Sequence, residues 1–179
     1  MSPHAIAAIR LLLFTGALLS EILTLKWDHV DFEDACLRLP DSKSGAKVIH
    51  LNPPALEVLK SLPVIEGNPY AIPGQRNGRH LVNLEKPWHT VRSLAGLDDV
   101  RLHDLRHSFA SFGAGAGLGL SMIGALLGHT QAATTQRYAH LATDPLKQAT
   151  DLIGQRITDA MKGGDNDGAV VVDISKRQS

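Results

Sequence analysis

The chain has 179 residues, 44% of them hydrophobic, which is enough for one domain with a sizeable core and excludes an intrinsically disordered chain. Eighteen Lys and Arg balance eighteen Asp and Glu, so the formal net charge is zero. That argues against a uniformly basic nucleic-acid-binding surface, while a basic patch in a deep site remains compatible with it. A single cysteine, Cys36, leaves no internal disulfide, and the N-terminus carries no secretory pattern, so the cytoplasm is the expected compartment. The apolar run from Ala5 to Leu19 is interrupted by Arg10 and is too short and mixed to span a bilayer, so it reads as a buried helix.

Pro3 is well placed to start that helix, and Ile6, Ile9, Leu12 and Leu13 recur at helical spacing as its core face. Thr15-Gly16 ends or bends it, and a short helix follows over Ser20 to Trp27. VDFEDACLRL (30–39) and KVIHL (47–51) have strand character, with Asp41-Ser42-Lys43-Ser44-Gly45 as the turn between them. Pro53 and Pro54 open a helix to Lys60 with Leu56 and Leu59 inward. Pro63 to Leu81 is rich in Pro, Gly and Asn and reads as loop; its Arg76, Arg79 and His80 are candidate phosphate contacts, a solvated loop being at least as good a reading. Leu84 to Leu94 reads as helix with Trp88 and Val91 inward and Arg92 as a weak candidate for a backbone contact.

The next stretch, RLHDLRHSFASFGAGAGLGLSMIGALLGHTQAATTQRYAHL (101–141), concentrates the polar chemistry. His103 and Arg106 are three residues apart and share a helix face, so both can reach one ligand. Gly113, Gly115, Gly117 and Gly119 are expected to break this helix, a short one spans Ser121 to Leu127, and a third holds Tyr138. Asp144-Pro145 starts a last helix through Met161, with Leu146, Ala149, Leu152, Ile153 and Ile157 inward. Gly163 to Gly168 is an acidic linker, AVVVDI (169–174) has the character of a short strand able to pair at a sheet edge, and SKRQS is a frayed end. The expected division is one domain over 1–162 and a flexible tail over 163–179.

An arginine matches phosphate oxygens with a planar fork of donors. Histidines donate to the same oxygens or move a proton. A tyrosine hydroxyl is a candidate nucleophile that needs activation, because its unperturbed pKa is about 10. Phosphoryl transfer to a tyrosine is the reaction these groups suggest.

His103-Asp-Leu-Arg106-His107, then Leu127-Gly128-His129, then Thr135-Gln-Arg-Tyr138-Ala-His140-Leu closely resembles the catalytic core of the tyrosine recombinases, the phage-integrase family. Order and spacing match over most of the chain. The resemblance implies an α+β catalytic domain, mostly helical with a small antiparallel β-sheet, that breaks and rejoins DNA at specific sites. Tyr138 would attack a DNA phosphate, forming a 3′-phosphotyrosyl intermediate and freeing a 5′-hydroxyl. Arg106 with His103 would stabilise the transition state, His129 would donate to the phosphate, and Lys43 in the hairpin turn would protonate the leaving oxygen, with Lys47 a weaker competitor for that role. His107 is a supporting residue packed behind the site, and His140 is structural. No metal or nucleotide cofactor is implied. The partner would be double-stranded DNA, bound by a homotetramer whose protomers are monomeric alone, with the last helix docking into a neighbouring subunit or folding back onto its own. Full-length integrases carry a separate helical DNA-clamping domain before this point, so the chain is expected to be an isolated catalytic domain or a fragment.

Thr15-Gly-Ala-Leu18-Leu-Ser-Glu21 matches the family's first motif except at Leu18, where the family has one of the two arginines that hold the scissile phosphate. Leucine cannot donate a hydrogen bond. Losing such a donor from a preorganised site costs about 3 kcal/mol, roughly a hundredfold in rate. Glu21 fits the acidic position that follows; a helix N-terminal acid is an equally good reading of it. Arg10 and Lys26 are candidate substitutes for the lost cation, neither at the motif position.

Three other readings compete. A catalytically inactive DNA-binding relative, with a regulatory or passive role, is favoured by Leu18. A zinc-protease helix shares the spacing of His103 and His107, but Asp104 stands where a glutamate should and the extended motif's glycine and histidine are replaced by Ala110 and Gly113. A type IB topoisomerase shares the phosphotyrosine chemistry, but the compact layout and the Leu-Gly-His motif fit integrases better.

Overall fold

The computed structural model describes residues 1–42, 45–129, 131–141 and 145–163. Two compact units divide the chain, Met1–Ala142 and Thr143–Ser179. The first unit is mostly helical with one small antiparallel sheet.

Helix α1 (Pro3–Thr15) starts on a proline and stops at Gly16, whose φ of 63° is left-handed and suits a residue without a Cβ. Its buried face is Ala5, Ala8, Ile9, Leu11 and Leu12; Ile6, expected inward, is 43% exposed because it lies on the opposite side of the helix. Helix α2 is Leu19–Leu23, shorter than the expected 20–27, and Trp27 belongs to a separate 3-10 turn, Trp27–His29.

The expected strand 30–39 is two strands. Val30–Asp31 is β1 and Cys36–Ser42 is β2, with the chain reversing between them. The Asp31 carboxylate holds that reversal by accepting the backbone N–H groups of Glu33 and Asp34 and the guanidinium of Arg38. Strand β3 (Gly45–His50) completes an antiparallel sheet in the order β1-β2-β3, with Leu37 opposite Ile49. Leu37, Leu39 and Ile49 point one face of this sheet into the core.

Helix α3 (Pro53–Lys60) is capped by the Asn52 side chain, which accepts from the Ala55 N–H at 3.1 Å. Val58 and Leu59 are fully buried on it and Leu56 partly. Helix α4 (Glu85–Leu94) buries Trp88, whose indole donates to the Val100 carbonyl at 3.0 Å. These elements and helix α5 (Leu102–Gly115) close over one core built on Leu11, Ile22, Leu25, Leu37, Leu59 and Ile72.

A second, smaller core joins Ala110 and Ala114 of α5 to Ile123 and Leu127 of α6 (Leu120–Leu127) and to Tyr138. It explains two departures from expectation. Helix α5 runs through Gly113 to Gly115 rather than breaking, and the chain turns at Gly117 instead. A glycine inside a helix costs about 1 kcal/mol, which burying the flanking alanines against Ile123 offsets. Tyr138 sits not on an α-helix but on a 3-10 segment, Gln136–Leu141, after the single turn α7 (Ala132–Thr135).

In the second unit, α8 spans Pro145–Gly163. Leu152, Ile153 and Ile157, expected inward, are exposed at 57%, 58% and 55%. Their helical spacing is real, and all three side chains are exposed. The expected strand 169–174 and the tail lie outside the described residues. Among the described residues no helix is long and apolar enough to cross a membrane.

Candidate functional site

Helix α5 sets the site. Its start is fixed by Asp104, which accepts the backbone N–H of Arg101 at 2.8 Å. His103, on the first turn, is exposed. Arg106, one turn on, is only 8% exposed. Its Nη1 donates to the Gly16 carbonyl at 2.5 Å and its Nη2 to the Leu127 carbonyl at 2.7 Å. Burial lowers its pKa, opposed by the charges of Glu21 and Tyr138; a guanidinium stays cationic regardless. Two of its five N–H groups are thus spent on positioning, and among the described residues the other three meet no acceptor. Gly16 is doubly constrained, since a Cβ there would lie 2.6 Å from the Phe109 ring.

The Leu127 carbonyl has a second donor. Lys47 Nζ reaches it at 3.3 Å and makes 3.0 and 3.1 Å contacts with the two oxygens of Glu21. Both side chains are nearly enclosed, at 10% and 4% exposure. Glu21 also accepts the Leu18 backbone N–H at 2.8 Å, so it holds the start of α2 while neutralising Lys47. Lys47 and Arg106 therefore grip one carbonyl at the end of α6 from two sides. Gly128, with φ 73°, follows that carbonyl, and a Cβ there would meet the Lys47 side chain at 3.0 Å. The sequence undervalues Lys47, although alternation along β3 places it on the same side as the buried Ile49. A cation on an inward face requires a buried partner. Lys43 lies outside the described residues.

His129 is half-buried at the end of this turn, with Nδ1 2.9 Å from the Thr135 hydroxyl. Thr135 is 2% exposed and was not singled out from sequence; its place in the motif beside Tyr138 is the signal that could have found it. Burial holds the His129 imidazole below its ordinary pKa, and the charges of Arg106, Arg137 and Lys47 add to that. Tyr138 is 5% exposed, and its hydroxyl lies 2.5 Å from His107 Nδ1. Burial raises the Tyr138 pKa, while Arg137 and Arg106 pull it down. Burial lowers the His107 pKa, reinforced by His103 and Arg137 and opposed by Asp104.

A groove of about 940 Å³ reaches His103 and Arg106, but not His107, His129 or Tyr138, and is also lined by Leu18, Trp88, His89 and Arg101, among others. Leu18 thus faces the same space as His103 and Arg106, without a polar atom to offer it. Neither candidate substitute reaches this space: Arg10 lies over the Phe14 ring at 5.8 Å and Lys26 over Tyr70 at 6.0 Å. Arg92 borders the groove and donates to the Val100 carbonyl at 3.1 Å. Arg76 and Arg79 are exposed on their loop and do not line the groove, while His80 Nδ1 lies 3.0 Å from the Leu81 carbonyl.

A mostly helical α+β domain with a guanidinium, imidazoles and a buried phenol in one unit is the class of protein these observations define. Residues 2–144 match the phage integrase family, and the chain belongs to that family. It is 29% identical over 154 residues to tyrosine recombinase XerD of Yersinia pestis, covering 79% of this chain and 51% of that protein. It is 30% identical over 153 residues to tyrosine recombinase XerC of Mycobacterium leprae (strain TN), covering 80% and 52%. The XerH site-specific recombinase, solved bound to its difH substrate as a pre-cleavage complex, matches with a TM-score of 0.65 and 25% identity, over 84% of this chain and 48% of that one. The chain spans about half the length of the curated relatives it matches.

Proposed function

We propose that this chain is the catalytic domain of a site-specific DNA recombinase, running over residues 1–162, that cuts and rejoins strands through a 3′-phosphotyrosyl intermediate. The observation that carries the reading is that α5 holds both ends of the reaction. Arg106 is fixed between two carbonyls, and one residue further on His107 meets the Tyr138 hydroxyl at 2.5 Å.

In this reading Tyr138 Oη attacks the scissile phosphorus. The bond from phosphorus to the 5′-oxygen breaks, and that oxygen takes a proton from Lys43. The free N–H groups of Arg106, with His103 and His129, donate to the charge that builds on the phosphate oxygens. The phosphodiester energy is kept in the tyrosyl bond, so rejoining needs no cofactor. Glu21 serves by holding Lys47 and the start of α2. Double-stranded DNA is the partner and the cytoplasm the compartment. A homotetramer forms on DNA from protomers that are monomeric alone, and the exposed apolar residues of α8 support packing against a neighbouring copy.

Leu18 impairs this chemistry. It stands on the groove where a second cation would meet the phosphate, and the lack of that cation slows cleavage by about a hundredfold. The same residue favours the second reading, a DNA-binding relative that no longer cleaves. Covalent capture separates the two. The chain, Leu18→Arg and Leu18→Arg/Tyr138→Phe are each incubated with a pool of nicked duplexes of randomised sequence, and denaturant-resistant complexes are counted. Adducts with Leu18→Arg, about a hundredfold fewer with the parent and none with Tyr138→Phe, support impaired recombination. Duplex binding by all three with no adduct from any supports the non-cleaving relative.

A further inference from the structure

We infer that His107 is the catalytic proton acceptor for Tyr138, a role that deepens the recombinase reading above and rests on it. Its Nδ1 lies 2.5 Å from the attacking oxygen. A buried phenol needs only some acceptor, and a backbone carbonyl would satisfy that need; here the acceptor is an imidazole, a base that can take the proton. The ring is held for the task. His103 packs edge-on against it, centroids 4.8 Å apart at 87°, and the half-buried His107 sits one turn further along α5, beside Arg106.

Charges around the pair keep the imidazole neutral and ready to accept. His103, Asp104 and Arg106 face it from α5, Arg101 from the residue before that helix, Arg137 from the 3-10 segment, and His129 from the α6–α7 connection. Cations outnumber the one carboxylate, so a proton on His107 is disfavoured before attack. The step balances as follows. The Tyr138 Oη–H bond breaks as the Oη–phosphorus bond forms, and the proton passes to Nδ1. The bond from phosphorus to the 5′-oxygen breaks, and that oxygen draws its proton from a separate acid. On rejoining, the 5′-hydroxyl gives its proton back to the separate acid as the 5′-oxygen–phosphorus bond forms, the Oη–phosphorus bond breaks, and the His107 imidazolium returns its proton to Oη.

The test uses the 179-residue chain with Leu18→Arg as parent, on a nicked duplex recovered from the randomised pool. Two forms of the duplex are made, one with oxygen and one with sulfur at the scissile 5′ bridging position. Sulfur leaves without an acid, so it rescues a lost leaving-group acid and not a lost base at the tyrosine. His107→Asn keeps an acceptor near the Nδ1 position and removes its basicity. It is expected to bind the duplex as the parent does and to form adduct about a hundredfold more slowly or worse on both duplexes. The parent's rise in rate with pH across the imidazole range should vanish. Added imidazole should restore rate to His107→Ala, which decides the matter if His107→Asn melts early. Adduct formation by His107→Asn within threefold of the parent overturns the inference, as does full rescue by sulfur or failure of imidazole. A parent that binds the duplex and forms no adduct fails the recombinase reading itself, and the inference falls with it.

Discussion

The Lys47 ammonium lies between the Glu21 carboxylate and the Leu127 carbonyl, with its side chain 10% exposed. Removing one partner of a buried ion pair leaves the other charge unpaired and costs about 3–5 kcal/mol. Lys47→Met is therefore expected to lower the unfolding free energy by that much, read as a lower urea midpoint at unchanged slope, and adding Glu21→Gln should recover part of the loss, because the two sites share one interaction. Gly16→Ala forces a left-handed alanine, about 1–2 kcal/mol, and crowds Phe109, about 1–3 kcal/mol more; a thermal melt should show the sum, and a change near zero would contradict the geometry. Residue types and spacing marked His103, Arg106, His129 and Tyr138. The partners of Arg106 were not legible, because they are backbone carbonyls of Gly16 and Leu127 and any side chain could accompany them.

Among the elements, α1, α3, α4 and α6 follow from prolines at the starts of α1 and α3 and from apolar spacing. Failures arose where packing overrode local preference. Helix α5 passes through Gly113 because its neighbours bury against Ile123. The segment 30–39 reverses because Asp31 gathers Glu33, Asp34 and Arg38, which no alternation pattern reveals. Helix α8 shows the limit most plainly, since its stripe of Leu152, Ile153 and Ile157 is written in the sequence but what covers it is not. These three residues are exposed. Ile153→Lys/Ile157→Lys is expected to leave the melting of the Met1–Ala142 unit unchanged within about 0.5 kcal/mol, and to reduce the higher-order protein–DNA species seen by native gel. Loss of thermal stability without loss of those species would contradict a docking role for α8.

For the molecule as a whole, zero net charge coexists with four cations, Lys86, Arg92, Arg101 and Arg106, against one carboxylate, Glu85, along one groove. Composition counts charges but does not place them, so the cationic groove was invisible to it. The pH response follows from the enclosed imidazoles. His107 and His129 are both held below the ordinary value, by burial first and by neighbouring cations second. Unfolded imidazoles titrate near 6.5. Below that pH the unfolded chain binds protons that the folded chain refuses, so these histidines make stability fall as pH drops through 6.5 and leave it level above about 7. Asp31 and Asp104, held below 3.8 by hydrogen bonds from Asp34 and Arg101 among others, add stability that is lost only from about pH 4 downward. Melting temperatures across pH 5–8 should decline on the acid side, less steeply in His107→Asn; a flat profile from pH 5 to 7 would contradict the assignment.

The central claim is that Tyr138 becomes joined to DNA, and mapping the linkage tests it most directly. The chain has two tyrosines, Tyr70 and Tyr138. Leu18→Arg would be trapped on the nicked duplex, digested with protease and nuclease, and the peptides read by mass spectrometry. A nucleotide carried through its 3′-phosphate on the peptide containing Tyr138 is the expected result. Linkage at Tyr70 or another residue, or no linked peptide on DNA that the protein demonstrably binds, would contradict the account.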